Sequence, residues 1–166
     1  MKIIKRLQAA NNMNIVIETH SKEETIALAK EIAPFLFANC VITLSGDLGA
    51  GKTTFVSGIA KGLGIEEAVT SPTFNILKCY FHKPLSLFHI DAYRLDGSNK
   101  EIGLDEFIEG DGIAIIEWPN YIEELLPKER LDVAIYNIGN DDRKFVFSST
   151  LEAYSKVFEI LGARDK

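Results

Sequence analysis

The stretch Gly46-Asp47-Leu48-Gly49-Ala50-Gly51-Lys52-Thr53 has the residue types and the spacing that bind a nucleoside triphosphate, G-x-x-x-x-G-K-T. Three glycines let the backbone turn tightly enough for its N–H groups to face phosphate oxygens, and the helix predicted over 54–61 adds its positive N-terminal end. The backbone of Asp47, Leu48, Gly49, Ala50, Gly51, Lys52, Thr53 and Thr54 is therefore the candidate phosphate cradle. Lys52 is placed to reach the β- and γ-phosphates, and Thr53 offers a hydroxyl to Mg²⁺, which prefers hard oxygen ligands. The alternative, a glycine-rich strand-to-helix turn without a ligand, would have to fill every fixed position of the motif by chance.

A magnesium–nucleotide site also needs acids, and in an open α/β sheet these gather at the carboxyl ends of strands. Glu117 ends the apolar run Ile113-Ala114-Ile115-Ile116, where an acid holding Mg²⁺ or positioning water is expected; the other reading is a strand terminus reaching solvent. Asp91 lies in Leu87-Phe88-His89-Ile90-Asp91-Ala92-Tyr93-Arg94, where strand alternation puts His89, Asp91 and Tyr93 on one face. That face is either a second half of the site or a solvated outer surface. Thr70, Ser71 and Thr73 concentrate hydroxyls around Pro72, as a nucleotide-sensing segment would and as many loops do. Trp118 is a candidate cover for the site or a core residue, and Arg94 and Arg143 are candidate charge stabilisers or surface ion pairs.

The elements that must position these groups alternate along the chain. A strand is predicted over 14–18, then a helix opened by Ser21 with Glu24 three residues on, a capping box, and closed near Pro34. The strand 41–45, the phosphate loop and its helix follow, closed by Gly62 and Gly64. Strands over 75–81 and 85–95 are joined by His82-Lys83-Pro84 as a hairpin that Asp96-Gly97 ends; helical spacing runs over 99–109, and a short helical segment over 121–126. Strands over 131–138 and 144–147 turn at 139–142, and a helix over 151–161 is capped by Gly162. This pattern predicts a three-layer P-loop-type α/β sandwich with a mixed sheet, residues 13–166 forming one domain and 1–12 a flexible extension.

At 166 residues the chain is long enough for one core. Its net charge of −6 repels phosphate backbones, so strong direct binding of DNA or tRNA is disfavoured. Cys40 and Cys79 sit beside apolar residues with no histidine at ligand spacing, which reads as thiols in a reducing cytoplasm. The apolar stretch 32–44 is broken by Pro34 and Asn39, so no membrane span is predicted, and polar Gln8, Asn11 and Asn12 fall where a signal peptide would be apolar.

A guanine-reading N-K-x-D is missing, since Asn99-Lys100 is followed by Glu101-Ile102, and five scattered arginines do not make the lid of a small-molecule kinase. A kinase whose acceptor sits at Asp91 stays open, as does a nucleotide-sensing module without turnover. The P-loop, Ser71-Pro72-Thr73-Phe74, His89-Ile90-Asp91-Ala92-Tyr93-Arg94, Gly103-Leu104-Asp105-Glu106 and Ile116-Glu117-Trp118-Pro119, in that order, make the chain resemble the TsaE (YjeE) family, ATPases of bacterial tRNA threonylcarbamoyladenosine biosynthesis. The likeness runs from about Met13 to Phe147. It implies that Lys52 binds the β/γ-phosphates, that Thr53 and Glu117 ligate magnesium with Asp91 close to the metal and the attacking water, and that 71–74 responds to nucleotide. It further implies that Trp118 lies against the active site and Arg143 near the base or a partner. The chain departs from the family pattern at Asp141-Asp142, where a glycine precedes the arginine, and residues 1–12 have no counterpart. The resemblance also implies slow ATP hydrolysis by the chain alone and work with the TsaD–TsaB pair, which modifies adenosine 37 of tRNA.

Overall fold

A computed structural model describes residues 2–9, 12–72, 74–95 and 103–164. Strands β1 (Lys2–Ala9), β2 (Asn12–Thr19), β3 (Val41–Ser45), β4 (Leu77–Tyr80), β5 (Leu87–Asp91), β6 (Ile113–Glu117), β7 (Leu131–Gly139) and β8 (Asp142–Ser149) form one sheet in the order β1-β2-β8-β7-β3-β6-β5-β4. β3 lies parallel to both β6 and β7, and β6 parallel to β5, while the remaining neighbours are antiparallel. The sheet is mixed, as the alternation of elements predicts.

Alternation within each strand divides the core into two. Ile42 and Leu44 of β3, Ile113 and Ile115 of β6, and Phe145 and Phe147 of β8 bury against helices α1 (Lys22–Ile32), α2 (Lys52–Leu63) and α4 (Ser155–Ala163). Val41, Ile90, Ala114 and Ile116 point to the other side, where the short helix α3 (Asp105–Ile108) and 3-10 turns at Tyr93–Leu95 and Pro119–Leu125 cover them. That second layer covers β3, β6 and β5 but not β7 and β8, whose Asp132, Ala134, Val146 and Ser148 are only half-buried.

Ser21 caps α1 as its sequence position demands, its hydroxyl accepting the Glu24 N–H at 3.0 Å. The reciprocal bond is shifted by one residue: Glu24 Oε2 accepts the His20 N–H at 2.7 Å. Several expected boundaries move. Residues Lys2–Ala9 pair with β2 as β1 instead of forming a flexible extension, because the hairpin gives partners to backbone groups that an edge strand β2 would leave open. β5 stops at Asp91 and the chain coils into a 3-10 turn, so Tyr93 is not a strand residue. Gly162 lies inside α4, whose C-cap is Arg164. Thr73, Asp96-Gly97 and the first part of the helix expected over 99–109 lie outside the described residues. Among the described residues no helix is long and apolar enough to cross a membrane. Cys40 is buried and Cys79 half-buried, both as free thiols.

α1 and α2 meet closely because glycine lines the contact. A Cβ added at Gly58 would lie 2.6 Å from Ala29 Cβ and 2.7 Å from the Ile26 carbonyl oxygen. Gly58→Ala, which gains roughly 1 kcal/mol at an open helix position, is here expected to lose about 1–3 kcal/mol of stability by overpacking. Urea unfolding of the two proteins checks it; a stabilised variant would show that the helices do not touch there in solution.

Candidate functional site

β3 delivers the chain into residues 46–51, and α2 starts at Lys52. Two glycines are required by geometry. A Cβ on Gly46 would sit 2.6 Å from the Ile135 carbonyl oxygen of β7, and Gly51, at φ 104°, occupies the left-handed N-cap of α2. Having no side chain, Gly51 leaves the first turn of α2 without a side-chain cap, so its amides turn to the cleft with no internal acceptor from that position.

Lys52 is 6% exposed. Its Nζ donates to the Gly46 carbonyl and, at 3.2 Å, to the Asp47 carbonyl, and stands 4.5 Å from the centre of the Trp118 ring. Burial pushes the ammonium below the ordinary lysine range, and the charges of Glu117, Asp91 and Asp47 pull it back up. The ammonium is thus folded onto its own loop and an indole face, a cation–π contact that substitutes for water.

The strand order sets the acids beside one another. Asp91 and Glu117 are register partners at the carboxyl ends of β5 and β6, and Leu44, two residues before Gly46, is the partner of Glu117 on β3. Both carboxylates are 4% exposed and line the cleft. Asp91 Oδ1 accepts the Tyr93 N–H at 3.0 Å, and Glu117 Oε2 lies 2.6 Å from His89 Nε2. Trp118 follows at φ 56°, ψ 52°, a left-handed conformation rare for a bulky residue. This bend returns its ring over Lys52 and stacks it with Tyr121, centroids 6.2 Å apart at 23°.

These groups share an open cleft of about 390 Å³. From the loop and α2 it takes Leu48, Gly49, Ala50, Gly51, Lys52, Thr53 and Thr54; from the strand ends Asp91, Glu117 and Trp118; from the β7–β8 turn Asp141; and from the start of β8 Arg143. Asp47 contributes its carbonyl to Lys52. Ser71 reaches the cleft, while Phe74 stands exposed with Arg94 donating to its carbonyl at 3.2 Å. Arg143 is bound to the loop itself: Nε donates to the Ala50 carbonyl at 3.0 Å, and Nη1 to the carbonyls of Asn140 and Asp142 at 2.8 and 3.0 Å.

The cleft also takes Ser21, Lys22 and Thr25, the cap and first turn of α1, which no local pattern marks as part of a site. The capping box located that helix end; only the position of β2 in the sheet brings it to the cleft. His89 is likewise unassigned by sequence beyond its place on the Asp91 face. The donors offered to a cation, the Thr53 hydroxyl and two carboxylates, are all hard oxygens, which suits magnesium rather than zinc. Among the described residues no group of three or more His, Cys, Asp or Glu is placed to hold a metal by itself.

A parallel sheet core, a glycine-rich loop running into a helix N-terminus, and paired acids on the adjoining strand ends define a P-loop protein. The model for the Threonylcarbamoyl adenosine biosynthesis protein TsaE matches residues 19–145. The tRNA threonylcarbamoyladenosine biosynthesis protein TsaE of Bacillus subtilis is 46% identical over 147 residues, 89% of this chain and 93% of its own. That of Treponema pallidum is 36% identical over 128 residues, 76% of this chain and 94% of its own. The crystal structure of Bacillus subtilis YdiB superposes with a TM-score of 0.78 at 40% identity, covering 92% of this chain and 97% of that one. The chain belongs to the TsaE family.

Since Trp118 is the sole tryptophan, its emission reports on Lys52. Nucleotide that draws the ammonium off the ring should shift the fluorescence, and Lys52→Met should shift it in the same sense with no nucleotide added. Unchanged emission in the variant would mean that the contact is not populated in solution.

Proposed function

We propose that this chain is a magnesium-dependent ATPase required for forming the threonylcarbamoyl group on adenosine 37 of tRNA, working in the cytoplasm with the TsaD–TsaB complex. Residues 13–166 act as its ATPase domain. The observation that carries this reading is the meeting of Lys52 and Thr53 with the register-paired carboxylates of Asp91 and Glu117 in one cleft. The names of the relatives support the pathway.

The amides of residues 47–54 cradle the phosphates, and Lys52 exchanges its loop carbonyls for the β/γ-phosphate oxygens. Thr53 and Glu117, with Asp91 close by, would hold magnesium, which would neutralise charge on the phosphates. Asp91 and Glu117 orient the attacking water. Trp118 shields the site from the Lys52 side, and Arg143 holds the loop through the Ala50 carbonyl.

Turnover by the chain alone is slow because the arginine of the cleft is already engaged. A γ-phosphoryl group in transfer needs positive charge on its equatorial oxygens, and an arginine supplying it is worth roughly 10³–10⁵ in kcat. Arg143, the arginine lining the cleft, already spends its Nε and Nη1 donors on main-chain carbonyls. A partner therefore has to complete or reorder the site. The net charge of −6 is consistent with tRNA being held by the other subunits.

Hydrolysis of ATP with magnesium is measured for the purified chain with and without TsaD–TsaB, with Lys52→Ala as the blank. Stimulation by the pair that disappears in the variant is the expected outcome. Negligible, equal turnover in every sample would overturn it, and turnover raised by a metabolite instead would point to a kinase.

A further inference from the structure

His89 is fully buried on β5, and the proposed chemistry gives it no task. Its Nε2 lies 2.6 Å from Glu117 Oε2, while its Nδ1 is buried without a hydrogen-bond partner. The contact ties one oxygen of the Glu117 carboxylate to the ring, and the two side chains are 0% and 5% exposed, so the pair is closed off from solvent.

We infer that His89 is a positioning residue for Glu117: its ring Nε2 engages Oε2 and so leaves the other carboxylate oxygen to the cleft. This deepens the proposed function, since it rests on Glu117 serving magnesium and water there. The design resembles ligand-orienting hydrogen bonds around metals, whose loss typically lowers metal affinity or activity about 10–100-fold. His89 does not line the cleft, whereas Glu117, its hydrogen-bond partner, does, so its effect passes through Glu117.

Three measurements test the inference. In the nucleotide-free protein, the ¹⁵N correlation pattern of the His89 ring should show a hydrogen on Nε2 bonded to the Glu117 carboxylate; an Nε2 with no such bond overturns the assignment. Binding of a fluorescent ATP analogue, titrated with magnesium, should need about 10-fold more magnesium in His89→Leu. His89→Gln, which keeps an N–H at similar reach, should stay within about twofold of the parent. Urea unfolding establishes that each variant is folded, and the glutamine variant carries the test if leucine does not fold: a magnesium requirement raised as far as 10-fold there means that the donor is not what matters. In assays with TsaD–TsaB, His89→Leu should lower kcat with the KM for ATP little changed, because the loop is intact. A folded His89→Leu with an unchanged magnesium requirement sinks the inference. If the parent binds magnesium nucleotide yet never hydrolyses it, the proposed function falls while the Nε2 hydrogen bond and magnesium binding still decide the role of His89.

Discussion

β6 is buried along its whole length between β3 and β5, and the cleft is organised by where it ends. A strand with neighbours on both edges and helices or turns on both faces has no freedom to slip, because a shift of one residue would turn Glu117 from one face of the sheet to the other. The apolar run Ile113 to Ile116 therefore acts as the ruler that fixes a carboxylate beside the phosphate loop on β3 and beside Asp91 on β5. The energy that holds the acids in place is hydrophobic burial several residues away from them.

Burying charge in such a place is unfavourable unless each charge finds partners, and the cleft supplies them in a chain. Lys52 is met by the Gly46 and Asp47 carbonyls and by the Trp118 face, Glu117 by His89, and Asp91 by the Tyr93 amide. Arg143 in turn fixes the Ala50 carbonyl. The two positive side chains thereby hold the carbonyls of Gly46, Asp47 and Ala50, three points along the loop.

Much of this was legible because it is written in contiguous residues. The phosphate loop, the strands 41–45 and 113–117, the hairpin of β4 and β5, and the cap at Ser21 each depend on a few neighbours in sequence, and the structure has them at or near the expected positions. What was not legible depends on strand order. That β6 enters between β3 and β5 pairs Asp91 with Glu117, and no local pattern states it. The same holds for the first turn of α1 at the cleft, for Arg143 against the Ala50 carbonyl 93 residues away, and for His89 against Glu117. β1 was missed because its pairing is a main-chain matter that polar Gln8 and Asn12 do not announce. Gly162 reads as a stop because glycine ends helices more often than it continues them, yet α4 runs one residue past it to Ala163.

Two backbone outliers bracket the acids. Trp118, directly after Glu117, has φ 56°, and Ile76, whose carbonyl accepts the Asp91 N–H at 2.8 Å, has φ 68°. A left-handed conformation at a bulky or β-branched residue costs on the order of 1–3 kcal/mol and survives only where the surroundings over-determine it. At Trp118 the compensation is visible in the ring contacts with Lys52, Tyr93 and Tyr121. At Ile76 it is the tight turn in which the Asn75 and Ile76 amides both donate to the Pro72 carbonyl. Through that turn the hydroxyl-bearing segment that brings Ser71 to the cleft is mechanically continuous with the backbone of Asp91. Any group that engages Ser71 therefore acts on a strained turn whose far end is hydrogen-bonded to one of the two acids, while the other acid precedes the strained residue that covers the lysine.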